Sequence, residues 1–586
     1  MKTLLILLIA ITQNLWATNY FVRLDGSDAN SGLADAAGGA WLTTTKAVSV
    51  AQPGDTVTWG PGSFSGFATT LRHGTEANPI IFQGAPDQTT LLGFCKVMHD
   101  HIHLKGFHFI SATLNIGSQN SPPSGWNGLV TVPGCNYFLV ENCRFTGNNG
   151  YSKLSISGNP PYYTGPIGGI VRNCYFGSHW PRAPCIGLSS SSTLIENCTF
   201  EGVGDSDAFH LFGRNNIIRG CRFLNWTQSP TGTNHVDLFQ AFSNNGEISL
   251  DHIIERNYAE NCDNTQMGNV DGPDLDGSRI GGWTFRNNIF NRVSNALNLY
   301  APNFKFYNNT WYIAPTRSGS NVILKFHPTR GMADNTVFRN NIFYKAGNLP
   351  TSGSQGWYAF DVTAPETIVG FQGSHNLVIG SGVGTIKGPS WLWYENPTTS
   401  KNGLDPRFVD PTTATEPEHI ALLAGSPAIG TGTNLSSLFT VDYYGNTRTT
   451  WDMGAIAYGG PPPADTTAPT IVSSSIDTTG RQLTVNFSEN VINVNVTHYT
   501  VSGLSLTSVD GTGSVRTFNI SSPALINETI TLNYIGGIGR TADAASNILA
   551  TISNLPVINY SLETTPIPPR AGRQGIGKGN TGTFSR

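Results

Sequence analysis

Charge is scarce in this 586-residue chain: Asp, Glu, Lys and Arg together make up only 12% of it. A helical protein of this size would carry far more Glu, Lys and Arg, so the composition points away from helices. The formal net charge of −4 gives no electrostatic case for a nucleic-acid partner. After the first residues no apolar run has the length of a membrane helix, so no membrane span is expected. No two cysteines form a CxxC pair, which removes the usual zinc pattern. What the chain has instead is turn chemistry. There are 66 glycines, with abundant Asn, Ser and Thr, and such a mixture predicts strands joined by many turns.

The N-terminus carries Lys2, an apolar run over residues 4–11 and the small Ala17. That order predicts a signal peptide over 1–17 and a protein that is secreted or held at the cell surface. The eight cysteines (Cys95, Cys135, Cys143, Cys174, Cys185, Cys198, Cys221 and Cys262) fit an oxidising compartment only loosely.

Self-similarity decides the fold class. Glu141-Asn142-Cys143-Arg144-Phe145 returns as Arg172-Asn173-Cys174-Tyr175-Phe176, Glu196-Asn197-Cys198-Thr199-Phe200 and Arg219-Gly220-Cys221-Arg222-Phe223. It continues as Arg286-Asn287-Asn288-Ile289-Phe290, Tyr307-Asn308-Asn309-Thr310-Trp311 and Arg339-Asn340-Asn341-Ile342-Phe343, at unequal intervals. A solenoid with loops inserted on one side behaves this way. Each copy follows an apolar strand. Its first Asn suits a left-handed corner and is expected to hydrogen-bond the equivalent Asn one coil away, while the aromatic fills the core. Four cysteines share one repeat position, which predicts a packing ladder with parallel side chains, poor geometry for disulfides.

Two further segments resemble the secreted pectate-lyase-like right-handed parallel β-helix proteins. One is Asn19-Tyr20-Phe21-Val22 with Asp25-Gly26-Ser27-Asp28, Trp41 and Gln52-Pro53-Gly54-Asp55-Thr56-Val57, which caps the first coil in that family. Gly62 and Phe64 continue it where the family usually has Gly-x-Tyr. The other is Gly425-Ser426-Pro427-Ala428-Ile429 with Asp442, Gly445, Arg448 and Asp452-Met453-Gly454-Ala455, similar to the closing phrase of bacterial members. The expected organisation is an all-β chain: a β-helix over 18–460, a Pro-rich linker over 461–469, a small β-sandwich over 470–561 and a disordered tail over 562–586. Alternating segments at 482–487, 501–506, 515–520 and 529–534 predict the sandwich. It resembles bacterial immunoglobulin-like modules, which implies a spacer or cell-surface attachment unit, with Glu489 and Asp543 structural.

For chemistry, successive strands align as Asp207-Ala208-Phe209-His210-Leu211-Phe212, Asp237-Leu238-Phe239-Gln240-Ala241-Phe242, Asn295-Ala296-Leu297-Asn298-Leu299-Tyr300 and Asn321-Val322-Ile323-Leu324-Lys325-Phe326. Alternation then sets His210, Gln240, Arg279 and Asn298 on one face, with Phe212, Phe242, Tyr300 and Phe326 beside them. Such a face is either a sugar-binding groove, where rings pack on pyranose faces, or a solvated sheet with the aromatics turned inward. Asp205, Asp207, Asp237, Asp274 and Asp276 are candidate Ca²⁺ ligands, since oxygen-rich loops suit that ion. Gly204-Asp205-Ser206-Asp207 resembles the acidic phrase of some β-helix pectate lyases, with Ser206 where those have an adjacent acid.

The resemblance implies β-elimination on a uronate-containing, acidic polysaccharide, with Arg279 or Lys325 as Brønsted base and His210 and His235 as further proton-transfer candidates. Two other readings stay open. A glycan-binding or adhesin solenoid needs no catalyst, and a glycoside hydrolase would use the carboxylates of Asp205, Asp207 and Asp237. Against the hydrolase, the Asn-Thr-Asp, Asp-Asp, Gly-His-Gly and Arg-Ile-Lys phrases of β-helix polygalacturonases are absent.

Overall fold

A computed structural model describes residues 17–85, 88–117, 135–147, 152–157, 165–177, 184–204, 207–228, 236–242, 247–262, 279–293, 297–299, 301–313, 324–326, 334–345, 361–362, 369–380, 398–401, 403–411, 416–460, 468–511, 513–537, 540–543 and 547–563. It divides into two compact units, residues 1–463 and 464–586.

The first unit is a right-handed parallel β-helix. Its strands form long parallel sheets of 13, 12 and 8 members, in which each strand pairs with its counterpart one coil on. In the first sheet Leu139, Ile170, Leu194, Ile217, Ile253, Thr284 and Lys305 stand in one register column. Beside it runs an alternating-charge column in which Glu141 binds Lys105 and Arg172, Arg219 binds Glu196, and Arg286 binds Glu255. The helix Thr44–Val50, capped by the Thr43 side chain, buries Ala47 and Val48 against the first coil.

The corner between the first two sheets shows why the repeated phrase reads as it does. Asn142, Asn173, Asn197, Asn287, Asn308 and Asn340 all have φ between 53° and 61°. Asn tolerates that left-handed backbone, as the sequence predicts. The amide ladder, however, is built by the next residue. Asn257, Asn288, Asn309, Asn341 and Asn376 are buried, and each Oδ1 accepts the backbone N–H of the preceding coil at 2.8–3.0 Å. The left-handed Asn points outward instead, so only Asn340 reaches its counterpart, Asn308, at 3.0 Å.

Cys143, Cys174, Cys198 and Cys221 fill the same inner position in the earlier coils. Their thiols lie 3.7–3.8 Å from the carbonyls of Leu104, Val140, Val171 and Ile195. All eight cysteines are buried and unbridged. Inside, Phe109, Phe145, Phe176, Phe200 and Phe223 stack at 4.7–4.9 Å, the inter-strand spacing.

The closing segment folds back along this corner. Asn308 Nδ2 donates to the carbonyls of Asp452 and Gly454, and Asn287 Nδ2 to that of Val441. Buried Arg448 donates to Asn287 Oδ1 and to the carbonyls of Gly454 and Ala455. Asp442 and Asp452 accept backbone N–H groups within the same segment. The polar residues of the closing phrase are therefore fasteners.

The second unit is a small β domain. Seven strands form one mixed path, in which Ile552–Asn559 pairs antiparallel with Ile530–Tyr534 and parallel with Ile471–Ile476. Leu483, Val485, Phe518, Leu532 and Tyr534 fill its core. Asp543 accepts from the Asn547 backbone and side chain, a structural turn as expected.

Candidate functional site

The third sheet carries the candidate site. Its strands alternate strictly: Leu114, Leu154, Ile186 and Phe209 point into the core, while Asn115, Ser155, Gly187 and His210 share the outward column between them. His210 pairs in register with Gln240, as the alignment predicts. Phe212 and Phe242 lie beside them on the outward face. Their ring centroids are 4.9 Å apart, edge to face, and the His210 ring stands 5.3 Å from Phe242.

One correction concerns the aromatic strip. Phe212 is only 6% exposed, so it is a wall packed against its neighbours and not an open platform. Only Phe242 of the pair is half-buried.

Two of the candidate acids, Asp207 and Asp237, are described, and Asp207 contacts His210. Asp207 Oδ2 lies 3.0 Å from His210 Nε2, and Asp207 Oδ1 accepts the Asp237 backbone N–H at 2.8 Å. Both acids are buried, whereas the His210 side chain is 24% exposed. An ionised Asp207 makes Nε2 the protonated nitrogen and leaves the lone pair on Nδ1. The arrangement is a buried carboxylate holding a partly exposed imidazole.

Among the described residues no three His, Cys, Asp or Glu side chains converge on a point that could hold a metal ion. Asp207 is already engaged through both oxygens, so the described residues do not assemble a Ca²⁺ site. Asp205, Asp274 and Asp276 lie outside the described residues, as do His235 and Tyr300.

The register also moves Arg279. Ile280 pairs with Ser249, which pairs with Gly213, so Arg279 falls in the column of Phe212 and not in that of His210. It keeps the predicted outward face and is exposed, because buried Ile280 takes the inward turn.

Asn298 is opposite Lys325, one residue away from the expected partner Leu324, and Lys325 is opposite Asp361. These three belong to a separate short sheet of three strands. Two residues that sequence reasoning missed continue the His210 column toward the N-terminus: Lys96 pairs with Asn115 on the outward face. Their strands lack the acidic and aromatic markers that drew attention to later coils.

Residues 117–249 match the family described as right handed beta helix region. No curated protein sequence matches the chain. Among solved structures, the crystal structure of pectate lyase Pel9A is 14% identical, covering 76% of this chain and 97% of that one with a TM-score of 0.40. The complex of XylC with xylose is 11% identical over 75% of this chain and 98% of that one, with a TM-score of 0.43. A PL6 family alginate lyase, AlyGC, is 14% identical over 76% of this chain and 59% of that one, with a TM-score of 0.36. These likenesses assign no chemistry to the chain.

Proposed function

We propose that this chain is a polysaccharide lyase that cleaves uronate-containing glycans by β-elimination, with His210 as the base. The observation that supports it is the Asp207–His210 pair, held at 3.0 Å on the outward face of the third sheet beside an aromatic wall. His210 takes the C5 proton of a uronate, the C4=C5 double bond forms, and the C4–O bond breaks with its electron pair on the leaving oxygen, which water protonates to the new hydroxyl of the released sugar. Arg279 pairs with the uronate carboxylate, which lowers the cost of charge at C5. Phe242 packs on a sugar face and Gln240 hydrogen-bonds a hydroxyl. His210 replaces Arg279 and Lys325 as the preferred base, because a buried carboxylate holds it, whereas Arg279 stands in another column and Lys325 in a separate sheet. The signal peptide expected over residues 1–17 supports action outside the cytoplasm, where such polymers occur.

The test is incubation with polygalacturonate, alginate and glycosaminoglycans, with and without chelator, reading the ultraviolet absorbance of the unsaturated product. Replacing a general base costs roughly 10²–10⁴-fold in rate, so His210→Asn is expected to lose that much. New reducing ends without the absorbance would overturn the lyase in favour of a hydrolase. Binding without either product would leave a glycan-binding solenoid.

A further inference from the structure

We propose that Lys96 and Asn115 form an anion-reading subsite at the N-terminal end of the His210 column, which takes a carboxylate of the same polymer several sugars from the scissile bond. The acidic nature of the polymer rests on the function proposed above, whereas the subsite itself does not require cleavage.

Register places Lys96, Asn115, Ser155, Gly187, His210 and Gln240 in one outward column. Lys96 is four strands from His210, or roughly 19 Å at the usual inter-strand spacing. Outward residues of an open sheet stand in water, yet Asn115 is 9%, Ser155 8% and Gln240 7% exposed. The column is therefore recessed from bulk water. Asn115 Oδ1 is buried there without a hydrogen-bond partner. Buried polar atoms are otherwise almost always paired, so this one calls for a donor from outside the protein. A sugar hydroxyl supplies one. The Lys96 ammonium makes no ion pair among the described residues and completes the subsite with a charge.

Gly187 is the independent sign. It lies mid-strand between Asn115 and His210, and its φ is not in the left-handed region, so the backbone does not require glycine. A Cβ built there would meet nothing closer than Ser152 Oγ at 3.6 Å, so packing does not require it either. Glycine in a strand interior costs stability and often marks close approach of a ligand. Here it keeps the column low midway along the path.

The experiment is a titration of full-length wild type, Lys96→Met and Gly187→Val with polygalacturonate and with its uncharged methyl ester, alongside a melting curve for each. Lys96→Met is expected to weaken polygalacturonate binding roughly tenfold, the worth of one charge-assisted contact, and to leave the methyl ester unaffected. Gly187→Val is expected to block both polymers while melting no lower than wild type, since Val favours strands. Wild-type affinity in both variants overturns the subsite. If no polymer is cleaved but the two variants still lose binding, the lyase reading fails and the subsite stands.

Discussion

Replacing Asn309 by Ala tests the claim that the inner Asn ladder holds the later coils together. Asn309 Nδ2 donates to Phe285 O and to Asn341 Oδ1, both at 3.0 Å. Its Oδ1 accepts from the Asn288 backbone N–H at 3.0 Å and from Asn288 Nδ2 at 2.9 Å. After the change Asn341 Oδ1 keeps the Asn309 N–H, and Asn288 Nδ2 keeps the Ile254 carbonyl. The Asn288 N–H loses its acceptor in a site closed to water, and Phe285 O loses a donor. At about 1–3 kcal/mol for each of the two orphaned buried groups, the expected destabilisation is roughly 2–6 kcal/mol. Asn309→Cys should cost less than Ala, since Cys221 shows a thiol reaching the equivalent carbonyl, Ile195 O, at 3.8 Å. A solenoid loses stability locally, so amide hydrogen exchange at Asn288 should be read together with urea unfolding. Exchange should quicken around Asn288 and stay unchanged near Cys174. A cost below about 1 kcal/mol for Ala, the size of an average substitution, would refute the reasoning.

Acid should destabilise the β-helix through His252, which is buried with its pKa pushed down to about 3 by desolvation. Its folded pKa lies below the unfolded value near 6.5, so stability is full at neutral pH and falls as pH drops from about 6.5 toward 3. The loss is about 2 kcal/mol by pH 5, and urea titrations of His252→Gln should show a shallower acid slope; an unchanged slope would remove His252 from the account. His103 and His108, each held near 4 by burial, add to the slope in the same direction. Burial also raises the thiols, Cys185 to about 12, so the native protein should resist iodoacetamide at pH 8. After unfolding without reductant all eight cysteines should react, and a smaller number would reveal a disulfide.

The winding was legible because one phrase repeats. Asn at a left-handed corner, a small residue behind it and an aromatic after that are local requirements, repeated wherever a coil turns. The division of labour between the two asparagines was not legible. Asn287 and Asn288 are identical in sequence terms, and only the corner geometry sends one outward to Val441 and the other inward to Ile254. The site shows the same limit. His210 and Gln240 were aligned correctly because both follow an Asp at the same distance within one strand pattern. Arg279 and Lys325 slipped because the loops between coils differ in length and sequence carries no ruler across them.

By itself the sequence determined that the chain is a β-helix followed by a small β domain, since periodicity of local turns and strands specifies those elements. Tertiary structure alone decided that Arg279 joins the column of Phe212 and that Lys96 and Asn115 continue the column of His210. Those relations join residues from different coils, and their distances are set by register between strands, which is a property of the wound chain.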